Sequence, residues 1–363
     1  MRIAIIVPGF SANENDWGIP ALRDFVSALT ARHAVHVFAM HYPYRRDVFS
    51  CYGATVHSFN GANRGGARTI GLWSQVIQAV VREGRRARWD VIHAFFGTFT
   101  ALCATISARL LRAPVVLSLA GGEVAALPDI RYGDQLSVVH HTMLNFTTLA
   151  AARISVGSRY MLALARQHLP RSVYGRLAWA PLGVDPTRFS PAERHAQEPR
   201  VLQVASTHPV KDPSLLLRVF ERVAQACPTA TLEVIGRGWS DERPQSRVCA
   251  RGEIPHDQLP AVYRRASVYL QTSRHEAQGM SVLEAAASGI PIVGTPVGAL
   301  PELATNAARL GKTEMKLAHA TIDLLRDPVA AMRMGLAARE RVCDHYSIEK
   351  CTKRFEAIYE DVG

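Results

Sequence analysis

The sequence predicts an α/β fold of two Rossmann-like domains built on parallel sheets, and three observations predict it. Short apolar, β-branched runs alternate with longer stretches of helical spacing. That alternation occurs twice. A proline-rich segment separates the two series, and 363 residues are enough for each series to bury its own core.

The first series opens with Ile3–Val7. This run is too short for the apolar region of a secretory leader and reads as a buried strand. Val35–Ala39, Val91–Ala94, Val115–Leu119 and Ile154–Val156 continue it. The longest uncharged run, Val91 to Ala108, contains His93, Gly97 and several threonines. It fits a buried strand feeding a buried helix better than a membrane span. Ala67–Trp89 has helical spacing at Leu72, Val76, Ile77, Val80 and Val81, then a basic end at Arg82, Arg85, Arg86 and Arg88. Two readings apply: a packed helix with a solvated basic end, or a helix resting on an anionic bilayer.

Pro181 to Pro199 holds four prolines and a polar second half, so it cannot continue a sheet. The expected division is 1–185 for the first domain, 186–199 for a linker and 200–345 for the second domain. Residues 346–363 then form a C-terminal helix crossing back to the first domain. The second series is Val201–Ala205, Thr231–Ile235, Val268–Gln271 and Pro291–Gly294. The last helix is spaced by Ile348, Phe355, Ile358, Tyr359 and Val362. Strands alternating with helices imply parallel sheets covered on both faces. Ligands then bind beyond the carboxyl ends of the strands, in a cleft onto which both domains would face.

Charge is unevenly placed. Residues 1–190 carry 20 basic and 10 acidic side chains, residues 191–363 carry 22 and 21, so the excess lies in the first half. Such a balance suits an anionic acceptor or peripheral contact with a membrane surface, and it also arises from arginine-rich composition alone. No zinc spacing or basic-aromatic interleaving points to nucleic acid. Six cysteines without a CxxC pair read as reduced core thiols of a cytoplasmic protein.

Chemistry concentrates between Arg274 and Glu302. From Ala277 to Pro301 the only charged side chain is Glu284, inside a helix-forming run of small and apolar residues. A lone carboxylate there needs a partner or a ligand. Gly279 precedes the helix, where unpaired N–H groups and the helix dipole make an anion site and a glycine lets a diphosphate approach. Met280 and Glu284 share a face, one turn in, at a reach that suits ribose hydroxyls. Glu276 would face a sugar beyond the phosphates. The plainer alternative makes Glu284 a helix-edge charge and Glu276 a loop charge.

The string Leu283 to Glu302, LEAAASGIPIVGTPVGALPE, with Glu276 and Glu284 before and within it, resembles the E-x7-E signature of glycosyltransferase family 4, retaining enzymes of the GT-B fold. Asp90-Val-Ile-His93, Ser158, Pro181-Leu-Gly-Val-Asp185 and Ile235-Gly-Arg-Gly238 extend the resemblance over most of the chain. It implies that Glu276 contacts donor-sugar hydroxyls or the reacting centre. Backbone groups of Gly279, Met280 and Ser281 would hold sugar and diphosphate, and Glu284 the ribose. Lys211, the first of only five lysines, would neutralise the leaving diphosphate. Gly18, Ser206, Gly236, Arg251 and Gly252 complete the donor set, the last two where the family's backbone meets the nucleobase.

Departures are specific. The family's arginine before the lysine is absent, with Ala205 and Ser206 in its place, and His208 is a candidate substitute. Trp17 replaces one member of the family's glycine pair, and Gly18 remains as the other. Ala120 stands where the family has a cleft histidine. Gly122, Glu123 and His93 are placed on the acceptor side, with a satisfied core histidine as the other reading of His93. His140 and His141 lack metal spacing and no Asp-x-Asp clamp occurs, so no metal or other cofactor is expected. The resemblance implies a hexosyltransferase-like, retaining enzyme. It would move sugar from a nucleotide-sugar to a lipid-linked, saccharide or small-molecule acceptor, as in cell-envelope polysaccharide or glycolipid biosynthesis. A nucleotide-sugar 2-epimerase and a non-catalytic nucleotide-sugar-binding homologue share the fold and stay open at this point.

Overall fold

The computed structural model describes residues 1–16, 18–62, 67–192, 198–240, 247–304 and 306–363. The chain forms two compact units, Met1–Gly183 with Ile348–Gly363, and Val184–Ser347.

The first unit holds strands β1 (Arg2–Gly9), β2 (Ala34–Tyr42), β3 (Arg46–Cys51), β4 (Ala54–Phe59), β5 (Val91–Phe95), β6 (Val115–Leu119), β7 (Arg153–Val156) and β8 (Leu177–Trp179). Their order in the sheet is β3-β4-β2-β1-β5-β6-β7-β8. All pairs are parallel except β3 with β4. That edge is a hairpin turning through Tyr52 and Gly53, at φ +50° and +75°. Such a two-residue turn matches strand twist and needs no crossover. The outward pattern of β3 gave no apolar run to read.

Helices α1 (Pro20–Thr30), α2 (Ala67–Arg86), α3 (Phe99–Leu111), α4 (Val138–Ala150) and α5 (Arg159–His168) cover the sheet. On α2, Leu72, Val76 and Val80 are fully buried, and Arg82 and Arg86 pair with Glu83. Its apolar side is spent on the core, so the bilayer-resting reading of this stretch is corrected to the packed one.

Strands β9 (Arg200–Val204), β10 (Thr231–Ile235), β11 (Val248–Arg251), β12 (Val268–Gln271), β13 (Ile292–Gly294) and β14 (Ala308–Leu310) make the second sheet. Its order is β11-β10-β9-β12-β13-β14, all parallel. With it run α6 (Pro213–Ala226), α7 (Leu259–Tyr263), α8 (Met280–Ala287), α9 (Leu300–Leu303), α10 (Glu314–Arg326) and α11 (Pro328–His345). Its core joins Val201, Leu232, Val234, Leu270 and Val293 to α6 and α10. Chain order reverses between β9 and β12, so a crevice-forming switch point lies at their carboxyl ends.

The final helix, α12 (Ile348–Val362), belongs to the first unit. Cys351, Phe355 and Tyr359 recur every four residues and are buried, and the two rings join Phe25, Val26 and Leu29 of α1 in one core.

The first half of the expected linker is packed structure of the second unit. Asp185 accepts from the Thr187 and Arg188 N–H groups, Phe189 is buried, and Arg339 of α11 donates to the Pro186 and Phe189 carbonyls at 3.1 and 3.0 Å. Residues 193–197 of that segment lie outside the described residues, as does Trp17.

Candidate active site

The switch point of the second sheet gathers the two loops that carry the charged candidates. The loop after β9 ends in a short turn, Pro209–Lys211, and Asp212 then caps α6 by accepting from Leu215 N–H at 3.0 Å. The loop after β12 runs to Gly279. Thr272 donates its hydroxyl to the Lys211 carbonyl (2.9 Å), and the Arg274 N–H donates to the Val210 carbonyl (2.7 Å). These bonds lace the loops together and place Lys211 Nζ 2.6 Å from Glu276 Oε1, which also accepts from the Ser273 hydroxyl at 2.7 Å.

Gly279 starts α8 at φ +87°, a left-handed conformation that glycine adopts without penalty, and no side chain caps it. The first N–H groups of α8 have no intrahelical acceptors, so the helix start is an anion-attracting end. Met280 and Ser281 form its first turn, where the Ser281 hydroxyl accepts from Tyr269 at 2.8 Å.

Glu284 points into protein. His256 Nε2 lies 2.7 Å from its Oε1, and the Tyr263 hydroxyl donates to its Oε2 at 2.9 Å. Burial, then the nearby carboxylate, pushes the Tyr263 hydroxyl far above its ordinary range, so it stays a donor. The sequence singled out Glu284 but neither partner; the buried aromatic and histidine between two helical stretches carried no motif.

At the far side of β9, Gly236 (φ +143°) passes within hydrogen-bonding range of β11, its N–H donating to the Arg251 and Gly252 carbonyls at 3.2 Å. A Cβ there would sit 2.5 Å from the Ala205 carbonyl, so this position requires glycine. The Thr207 N–H donates to the Arg237 carbonyl at 2.9 Å, which lays Ser206 along the Gly236–Gly238 loop. His208 caps its own turn through the Val210 N–H at 3.2 Å. Arg251 and Arg200 both reach Glu233, at 3.3 and 3.2 Å. The structure thus brings Ser206, Lys211, Gly236, Arg251, Gly252, Glu276, Gly279, Met280, Ser281 and Glu284 to the carboxyl ends of four neighbouring strands.

The first-unit candidates separate. Gly18 (φ +38°) lies against Ser11, in a loop held by Asp16, which accepts from the Ala12 and Gly18 N–H groups and the Tyr42 hydroxyl. The Ser11 hydroxyl is buried without a protein partner, a feature the sequence reading missed. His93 is corrected from the acceptor side to the core. It is fully buried, with the Tyr359 and Ser118 hydroxyls on its two nitrogens at 2.7 and 2.8 Å, and burial holds its pKa down to about 3. Glu123, also placed on the acceptor side, likewise turns inward. It is buried and accepts from the N–H groups of Gly97 (3.2 Å), Ala120 (3.0 Å) and Gly121 (2.7 Å), stapling the loop that contains Gly122. Burial pushes its pKa up while those N–H groups pull it down.

A family description, glycosyl transferases group 1, matches residues 186–341. Across 322 residues the chain is 24% identical to N-acetyl-alpha-D-glucosaminyl L-malate synthase of Bacillus anthracis, spanning 81% of this chain and 79% of that protein. Residues 186–341 belong to the group 1 glycosyl transferases. Sucrose-phosphate synthase of Thermosynechococcus elongatus superposes with a TM-score of 0.81 at 20% identity, over 99% of this chain and 98% of that one. Anabaena HepE, solved with UDP and glucose, gives 0.75 at 16% identity over 99% of both chains. The fold is GT-B.

This glycosyltransferase, of the hexosyltransferase class, uses a nucleotide-sugar donor. Among its described residues no three His, Cys, Asp or Glu side chains gather as a metal-binding set. No described helix is long and apolar enough to cross a membrane. Cys249 lies exposed, which corrects its placement among core thiols.

Proposed function

We propose that the enzyme transfers a hexosyl unit from a nucleotide-sugar diphosphate to an acceptor hydroxyl, with retention of configuration and without a metal ion. The observation that carries this is the Lys211–Glu276 pair, 2.6 Å apart, on loops that frame the helix start at Gly279. The diphosphate would lie against the N–H groups of Gly279, Met280 and Ser281, with Lys211 taking up charge as the leaving group departs. Glu276 would turn its carboxylate to the sugar. Glu284, fixed by His256 and Tyr263, keeps lone pairs for ribose hydroxyls. Ser206, Gly236, Arg251 and Gly252 would border the nucleoside.

In the transfer, the bond from the anomeric carbon to the diphosphate oxygen breaks and a bond to the acceptor oxygen forms on the same face. The acceptor proton passes to the departing phosphate oxygen, so no protein nucleophile is consumed. The missing arginine at Ala205 and Ser206 leaves Lys211 and the α8 dipole as the main electrostatic terms. The ligands bound to HepE, UDP and glucose, support a donor of this class.

The test uses Lys211→Ala and Glu276→Ala. Each is expected to lower kcat by about 100-fold or more while melting behaviour is retained. Wild-type turnover in either purified, folded variant overturns the assignment.

A further inference from the structure

Gln271, the last residue of β12, is 2% exposed, and neither atom of its side-chain amide has a hydrogen-bond partner. Buried amides are nearly always paired, so this one calls for a physical explanation. Strand alternation supplies its direction. Leu270 enters the core with α6 and α10, whereas Tyr269 faces α8 and donates to Ser281. Gln271 shares the Tyr269 face, one step nearer the strand's carboxyl end, beneath the first turn of α8.

The distances agree. Gln271 Oε1 lies 3.5 Å from the point a Cβ on Gly279 would occupy, and Glu276 Cγ lies 3.8 Å from that same point. The neighbouring strand leaves room for the side chain, because a Cβ on Gly294 would come within 2.9 Å of the Gln271 Cβ. The unpaired amide therefore borders the anion-attracting helix start and the carboxylate that the proposed function assigns to the sugar.

The chemistry of the amide narrows the ligand. A phosphate oxygen only accepts, so it would pair the Nε2 hydrogens and leave Oε1 unsatisfied. A sugar hydroxyl both donates and accepts, and a pair of neighbouring hydroxyls satisfies both ends of an amide. We propose that Gln271 hydrogen-bonds hydroxyls of the transferred sugar and is a determinant of which hexose the donor carries. This rests on the nucleotide-sugar reading above and adds a residue that the charged motif does not contain. The other explanation, a bridging water bracing the loop, makes a different prediction.

The experiment compares wild type with Gln271→Leu and Gln271→Met, both neutral and close in volume. Dissociation constants are measured by calorimetry for UDP, GDP and ADP and for their glucose and mannose conjugates, together with melting temperatures without nucleotide. The expected result is melting equal to or above wild type, since an unpaired amide is removed. Nucleoside diphosphate affinity should stay within about two-fold and nucleotide-sugar affinity should fall about ten-fold, the loss of two neutral hydrogen bonds. Sugar-dependent affinity equal to wild type in a folded variant overturns the proposal. Lower melting or misfolding of both variants also overturns it, because the amide is then a structural brace. Wild type that binds no nucleotide-sugar overturns the functional reading together with this one, whereas normal wild-type binding with unaltered variants removes only the role of Gln271.

Discussion

Holding a carboxylate between two buried donors fixes its position and leaves only part of its oxygen surface for a ligand. Glu284 is in that situation, with His256 at 2.7 Å and Tyr263 at 2.9 Å. Tyr263→Phe removes one donor and leaves the acceptor buried. It should lower unfolding stability by about 1–3 kcal/mol and raise the donor KM more than it lowers kcat. Urea denaturation and initial-rate kinetics read the two effects, and unchanged values in both would show that the hydroxyl does not position Glu284. Lys211 and Glu276 differ, because each is the other's partner and both are only partly buried, with 26% and 12% of their side chains exposed. In the proposed function a diphosphate and a sugar compete for them, so the pair would contribute to turnover far more than to folding.

Element geometry decides how the helix start can be altered. At Gly279 an added Cβ would meet its neighbours at 3.5 to 3.8 Å, ordinary contact distances, so the cost of a side chain is the left-handed backbone alone. Gly279→Ala should therefore cost about 1–2 kcal/mol and still fold, with weaker donor binding as the turn relaxes. A melting curve and a donor titration on the same preparation check this. Loss of the fold would mean crowding that the distances exclude. Gly236 is the opposite case, since its Cβ would press on the Ala205 carbonyl at 2.5 Å and strain would add to crowding.

At the scale of the whole molecule, three histidines of the first unit contribute to acid stability. Burial holds His36 low, His57 down to about 4 and His93 down to about 3, so all three are neutral in the fold. The unfolded chain takes up protons on histidine from about pH 6.5 downward. Depressed folded values mean that stability present above pH 6.5 is lost as pH falls toward 4 and then 3. Urea midpoints should decline through that window, with a smaller decline in His57→Asn. A flat profile between pH 6.5 and 4 would contradict the buried neutral pair that His57 makes with His36 at 3.2 Å. The same unit depends on the chain's last helix, whose Tyr359 hydroxyl satisfies His93 from 266 residues away.

Periodicity and punctuation made the α/β class legible, because buried parallel strands must be apolar runs and the helices between them must be amphipathic. The stretch around Glu276, Gly279 and Glu284 was legible for a related reason: a charged residue in a small, apolar segment is conspicuous without coordinates. Strands β3, β8, β11 and β14 were not, since short or exposed edge strands carry no apolar alternation to detect, and neither was buried β4, whose apolar residues are interrupted by Thr55, His57 and Ser58. Pairing was not legible either. Whether Glu284 meets solvent or His256 and Tyr263, whether Glu123 faces an acceptor or staples its own loop, and whether His93 lies on the acceptor side or in the core all depend on groups distant in the chain. Sequence fixes which side chains are available and their local conformation, while burial and hydrogen-bond partners arise only when the strands are ordered side by side. For that reason the unpaired amide of Gln271, an ordinary glutamine in the sequence, becomes informative only in the folded protein.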